Sequence, residues 1–277
     1  MTRIAIVGNS HVAALKMGWD VIEKDYPHLD IVFFASVGKA AQDRQMKGKI
    51  YGFLTPKPSP HEIIFGNHSE RSINLAEFDH VLRVAERRKE SLLSVVLENT
   101  VVDGWPKDGR DHHMSRSAFE ALVDHTAKKQ LISPDWRNWS TPKVTSCPAP
   151  YPDERCVNHA RPARIARWRV LAKRPDEMLW LREMYIEKHR AWNAKYNIDL
   201  LMQPEETLAK NGLTKKSYSE GSFRMDANKM ETSEEHIHMN GEFGIVMLKK
   251  YFTQIDCATA KQRNVTMTKQ QTRMATR

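Results

Sequence analysis

Five short apolar runs punctuate the chain. Ile4 to Val7 is continuous and ends at Gly8, the pattern of a strand buried on both faces of a parallel sheet. Leu29 to Ala35 repeats it, and Phe78 to Ala85 carries Arg83 in its middle. Lys143 to Ala149 runs into a proline-rich turn, and Ile198 to Met202 is the shortest. Between and after these runs, apolar residues recur at helical spacing over 11–25, 87–101, 116–129, 176–196 and 241–254. Strands alternating with helices predict an α/β domain around a mainly parallel five-stranded sheet with right-handed crossovers. Residues 46–77, with Pro56, Pro58 and Pro60, do not fit one strand–helix unit and predict an insertion containing a hairpin. No internal repeat is visible.

Composition narrows the class. Of the 277 residues, 40% are hydrophobic and 28% charged, enough apolar surface for a packed core and too little imbalance for general disorder. No apolar run approaches the ~18 residues of a membrane span, and the start Met1-Thr2-Arg3-Ile4 has no leader pattern. A cytoplasmic protein is expected. The three cysteines, Cys147, Cys156 and Cys257, are odd in number and lack zinc spacing; they read as ordinary thiols.

Two loops carry candidate chemistry. In an open α/β sheet, ligands gather outside the carboxyl ends of the strands. The first such end reads Gly8-Asn9-Ser10-His11. It lacks the G-x-G-x-x-G of a dinucleotide site and the Lys of a phosphate loop. What it offers is Ser10 at a helix N-terminus, either a cap or a nucleophile. The second loop is Glu234-Glu235-His236-Ile237-His238-Met239-Asn240-Gly241, just before the last helix. A serine nucleophile needs a base, and the base needs a carboxylate to fix its tautomer. Glu235, three residues before His238, has the spacing to reach the imidazole Nδ1. His236 and His238 could also form half of a metal site, but no third ligand lies nearby in the sequence.

Taken together, these two blocks resemble the SGNH (GDSL-like) hydrolase family, which carries G-D-S at its first strand and D-x-x-H before its last helix. The resemblance implies a three-layer α/β/α sandwich with a mainly parallel, flavodoxin-like five-stranded sheet. It implies Ser10 as nucleophile, His238 as base and then acid, and Glu235 as the orienting carboxylate. It further implies an oxyanion hole from the backbone N–H groups of Ser10 and Gly38. Neither cofactor nor metal is called for. Asn9 and Glu235 stand where the family has Asp. The family's third block, G-x-N after the third strand, is replaced by Val84-Ala85-Glu86-Arg87. The missing Asn would donate to the oxyanion, so Arg87 or Arg88 is a candidate substitute. His11 is placed beside the pocket without a chemical role. The implied activity is hydrolysis of an acyl ester, either an O-acyl carbohydrate or a small molecule. Alternatives are an acyltransferase, or a weak or inactive domain of this type that binds a glycan or a protein partner.

The formal charge of +9 has an address. Residues 155–174 hold seven basic and no acidic side chains, and residues 257–277 hold five and none, which leaves the remainder at −3. The expected layout is a catalytic domain over 1–256, with insertions near 46–77 and 155–174, followed by a basic flexible tail over 257–277. Arg161, Arg164, Arg167 and Trp168 would suit a nucleic-acid face, but a solvated helix face is the simpler expectation. Asp111, His112 and His113 read as the approach to a helix capped by Ser115 rather than as an acid–base couple.

Overall fold

Each of the five apolar runs becomes a strand, and the ends move by a few residues at most. In a computed structural model, which describes residues 1–36, 38–56, 64–86, 88–105, 109–158, 163–224, 229–230 and 236–255, they are β1 (Thr2–Gly8), β2 (Leu29–Ser36), β4 (His80–Glu86), β5 (Lys143–Pro148) and β6 (Ile198–Leu200). A further strand, β3 (Ile64–Gly66), lies on the edge. The order across the sheet is β6-β5-β4-β1-β2-β3. All neighbours run parallel except β3, which pairs antiparallel with Phe34–Ser36.

The sheet is therefore mixed and six-stranded, not five-stranded as the apolar runs suggest. β3 escapes detection because it has three residues and no alternation. Its pairing depends on Gly66 at φ +131°, where any Cβ would overlap the Phe33 carbonyl oxygen. Asn67 then continues the edge: its Oδ1 accepts from Phe33 N at 2.7 Å and its Nδ2 donates to the Ile31 carbonyl at 2.9 Å.

Strand side chains alternate between two cores, as the two-residue period of a pleat requires. Ile4, Ile6, Phe33, Ala35, Leu82 and Val84 face α1 (Val12–Ile22) and α5, the helix over 241–255. On the other face, Ala5, Val7, Phe34, Val81 and Val144 pack against Tyr51, Leu75, Ile132 and Trp136. A further cluster joins α2 (Arg116–Gln130), α3 (Ala163–Ala172) and α4 (Pro175–Ala194) through Phe119, Val123, Ile165, Leu181 and Tyr185.

Two other expectations change. Residues 87–101 do not form one helix: Glu90–Leu93 is a 3-10 turn and Ser94–Leu97 a single helical turn, followed by a strand at Thr100–Val102. Val95, Val96, Thr100, Val101 and Val102 are β-branched, which weakens the helix and favours the strand. That strand pairs in parallel with His112–Met114, so His112 and His113 belong to a strand pair rather than a loop. Ser115 does cap α2, accepting from Ala118 N at 3.2 Å. Within residues 46–77, the segments Ile50–Gly52 and Ser72–Asn74 join Gln45–Lys47 in a small antiparallel sheet.

In the basic stretch 155–174, Trp168 is only 6% exposed and stands edge-on to Tyr151 with ring centres 5.3 Å apart. Its indole is a core group and offers no stacking surface. The charge pattern hid this because Arg side chains flank one apolar face. Residues 257–277, with Cys257, lie outside the described residues. Among the described residues, no helix is long and apolar enough to cross a membrane.

Candidate active site

The site sits at the carboxyl edge of the sheet, where β1 gives way to α1. Gly8 closes β1 because a Cβ there would stand 2.6 Å from the Val84 carbonyl oxygen. The turn that follows is held by Asn9. Its carbonyl accepts from Val12 N at 3.0 Å, its Oδ1 from His11 N at 3.2 Å, and its Nδ2 donates to the Ala85 carbonyl at 3.2 Å. An amide performs this last task and a carboxylate could not, since it has no proton to give a carbonyl oxygen. Asn9 thus ties the Ser10 turn to the end of β4. There Ala85 adopts the left-handed backbone at φ 70°.

Ser10 and His238 meet. Ser10 Oγ lies 2.8 Å from His238 Nε2, across 228 positions of sequence. The hydroxyl donates when Nε2 is unprotonated, which is the arrangement a general base requires. The His238 loop is fixed from both sides. His236 accepts through its carbonyl from Asp153 N at 2.8 Å. Asn240 caps α5, accepting from Phe243 N at 3.1 Å, and its Nδ2 donates to the Ser217 and Glu220 carbonyls at 2.7 and 2.8 Å. Burial alone would raise the Asp153 carboxyl. Hydrogen bonds from the Arg155 side chain, Ser219 and the Arg155 backbone outweigh it and hold the group below the ordinary carboxylate range.

The other candidates are placed unequally. Glu235 lies outside the described residues. Gly38 opens the 3-10 turn Gly38–Gln42 immediately after β2, and β2 neighbours β1 with Ala35 opposite Gly8. It therefore shares the carboxyl edge with Ser10. His11 packs against His238, ring centres 5.2 Å apart and tilted. Arg87 lies outside the described residues. Arg88 is engaged elsewhere, which corrects its candidacy as an oxyanion donor. It is buried, donates to the Ala149 carbonyl at 2.5 Å and to Glu90 at 3.3 Å, and lies 3.8 Å over the Tyr151 ring. An internal carboxylate and an aromatic face outcompete the cleft for this guanidinium. Among the described residues, no group of three or more His, Cys, Asp or Glu side chains is arranged to hold a metal ion.

One residue at the site has no local signal in the sequence. Arg44 donates through Nη1 to the Gly8 carbonyl and through Nε to the Ala41 carbonyl. It braces the strand end from 36 residues away, and nothing in its immediate neighbourhood foretells the contact.

A narrow apolar cavity of about 20 Å³ lies against His11 and Met239, with Val84, Cys147 and Phe243 in its lining. Cys147 does not compete with Ser10 as a nucleophile. Burial pushes its thiol up to about 12, and burial likewise pushes Cys156 up to about 12. At pH 8 only about one thiol in 10⁴ is then ionised. Iodoacetamide at pH 8 is expected to leave both unmodified in the native protein and to alkylate both in denaturant, as read by intact and peptide mass. Rapid native alkylation of either would show that its burial is wrong.

No protein-family model matches the chain, and no curated protein or solved structure is detectably similar to it.

Proposed function

We propose that the protein is a serine esterase of the SGNH type. The carrying observation is the 2.8 Å contact between Ser10 Oγ and His238 Nε2. It joins the two loops that resemble the family's first and last blocks. The order of the five parallel strands suits the three-layer α/β/α sandwich of that family, and we read the cytoplasm as its compartment.

In the proposed cycle, His238 Nε2 takes the Ser10 proton as Oγ attacks the acyl carbon. The oxyanion is held by the N–H groups of Ser10 and Gly38. His238 then gives the proton to the departing alcohol, leaving an acyl group on Oγ. Water, deprotonated by His238, attacks the acyl carbon; as the acyl–Oγ bond breaks, His238 returns that proton to Ser10 Oγ and the acid leaves. Glu235 is assigned to His238 Nδ1, where it would favour the tautomer with Nε2 unprotonated. The substrate class we assign is an O-acyl carbohydrate or small-molecule ester rather than bulk lipid. If an acceptor hydroxyl replaces water in the second half, the same residues perform acyl transfer.

A second reading is a non-catalytic binding domain for a glycan or partner. It is favoured by the end of β4, where Ala85 and Glu86 replace the family's oxyanion Asn. Labelling separates the two readings. A fluorophosphonate probe is expected to add one phosphonyl group, mapped to Ser10 by peptide mass, and Ser10→Ala should take up none. A folded wild-type protein that stays unlabelled would sink the esterase and favour the binding domain.

A further inference from the structure

The stretch of chain that carries His238 is held at both ends, and one buried carboxylate joins the two holding points. At one end the His236 carbonyl accepts from Asp153 N at 2.8 Å. At the other, Asn240 N donates to the Tyr218 carbonyl at 2.8 Å. Its Nδ2 donates to the Ser217 and Glu220 carbonyls at 2.7 and 2.8 Å. Those three carbonyls belong to one turn. Ser219, in the same turn, donates its hydroxyl to Asp153 Oδ2. The path from His236 through Asp153 and Ser219 to Asn240 therefore closes on itself. His238 stands midway along the stretch that completes it.

Asp153 is suited to be the fixed point of this path. Its side chain is fully buried, and the backbone on either side of it is tied down. Glu154 N donates to the Thr214 carbonyl at 2.8 Å, and Thr214 N to the Pro152 carbonyl at 2.9 Å. A carboxylate out of reach of water must be matched by donors. Arg155 supplies its backbone N at 2.6 Å, Nε at 3.0 Å and Nη2 at 2.6 Å. The same Nη2 reaches Ser219 Oγ at 3.1 Å, and Nη1 lies 3.8 Å from Glu220. The first cation of the basic stretch 155–174 thus serves an internal carboxylate and reinforces its link to the 217–220 turn. Packing is the rival holder, since Met239 lies in the α1–α5 core and Ile237 against the α2–α4 cluster.

We propose that Asp153, acting through Ser219, is a positioning residue for His238. It fixes the loop so that His238 Nε2 stays within hydrogen-bond reach of Ser10 Oγ. A misplacement of ~1 Å between reacting groups can cost ~10²-fold in rate, so a small slackening of the loop is enough to matter. The consequence for rate rests on the esterase reading, whereas the position of the imidazole does not.

The position is read without turnover, by NMR of the full chain with carbon-13-labelled histidine. The His238 Cε1–Hε1 cross-peak, assigned by its loss in His238→Ala, should shift in Ser10→Ala, which removes the hydroxyl from Nε2. Ser219→Ala takes away the Asp153 partner without adding bulk, and should move the same peak in the same direction. Lys24→Gln, at an exposed cation outside the path, should leave it in place. With p-nitrophenyl acetate, Ser219→Ala should lower kcat by about tenfold or more with KM little changed. A His238 peak that stays, or moves in another direction, in Ser219→Ala overturns the proposal and leaves packing as the holder. So does an unchanged kcat in a variant of an active wild type. Should Ser219→Ala not fold, as read by circular dichroism, Ser219→Cys keeps the size with a weak donor and is read by the same criteria. Failure of the esterase itself is seen separately, as an unlabelled Ser10 in the wild-type protein, and the peak then decides the positioning alone.

Discussion

Ser10→Ala is expected to slow hydrolysis of a short aryl ester by about 10⁴-fold or more, with the Michaelis constant little changed. The hydroxyl is the group that forms the acyl bond, and no described side chain shares its position against His238. His238→Ala should cost the same order, because a serine hydroxyl without its base is a poor nucleophile at neutral pH. The double variant should be no slower than either single one, since two residues that act as a unit give non-additive losses. Rates for the four proteins with p-nitrophenyl acetate, after thermal melts have established equal folding, provide the check. Losses that multiply would mean that Ser10 and His238 act independently, and equal rates in all four would remove the mechanism. The 2.8 Å separation of Oγ and Nε2 leaves no room for a relaying water between them, so the coupling should be strong.

Gly244→Ala should produce a large loss of stability from a single methyl group. Helices α1 and α5 cross in contact at glycine. A Cβ on Gly244 would overlap the Ala14 carbonyl oxygen and stand 2.6 Å from the Ala14 carbonyl carbon. From the other helix, a Cβ on Gly18 would meet Ile245 N at 2.5 Å. Backbone, not a flexible side chain, receives the clash, so one helix must retreat. Overpacking of this kind costs ~3 kcal/mol, toward the upper end of its usual range. For a chain of this size that corresponds to a fall of roughly 6–12 °C in Tm. Activity should fall as well, because α5 begins at the Asn240 cap, two residues after His238. A retreating α5 draws the imidazole away from Ser10. Scanning calorimetry beside ester hydrolysis at low temperature separates the two effects. An unchanged Tm would refute the close crossing.

The site was legible in the sequence to an uneven degree. Ser10 and His238 could be singled out because each sits in a short block with a recognisable neighbourhood, a strand end before the one and a helix start after the other. Ser115 is similarly local, since a cap bonds to a backbone N–H three residues away. Arg44 could not be found this way. Its partner is the Gly8 carbonyl, and backbone acceptors leave no mark on the sequence. Arg88 misled for a related reason. Its number places it near the expected oxyanion loop, yet Glu90 and Tyr151 draw it inward. Trp168 looked like the aromatic partner of a basic face until its contacts put it in the core.

By itself, the sequence determined the alternation of strands and helices, five parallel strands, and the two loops that carry the candidate chemistry. Those features are written in periodicities and caps that span a few residues, where propensity and burial pattern agree. Tertiary structure alone decided the sixth strand, the closed path through Asp153 and Ser219, and the meeting of Ser10 with His238. Each depends on segments far apart in the chain being brought together. Their distances are set by how closely backbones can approach, at Gly66 against Phe33 and at Gly18 and Gly244 between the helices. A periodicity reports which face of an element is buried, and only packing reports what lies opposite.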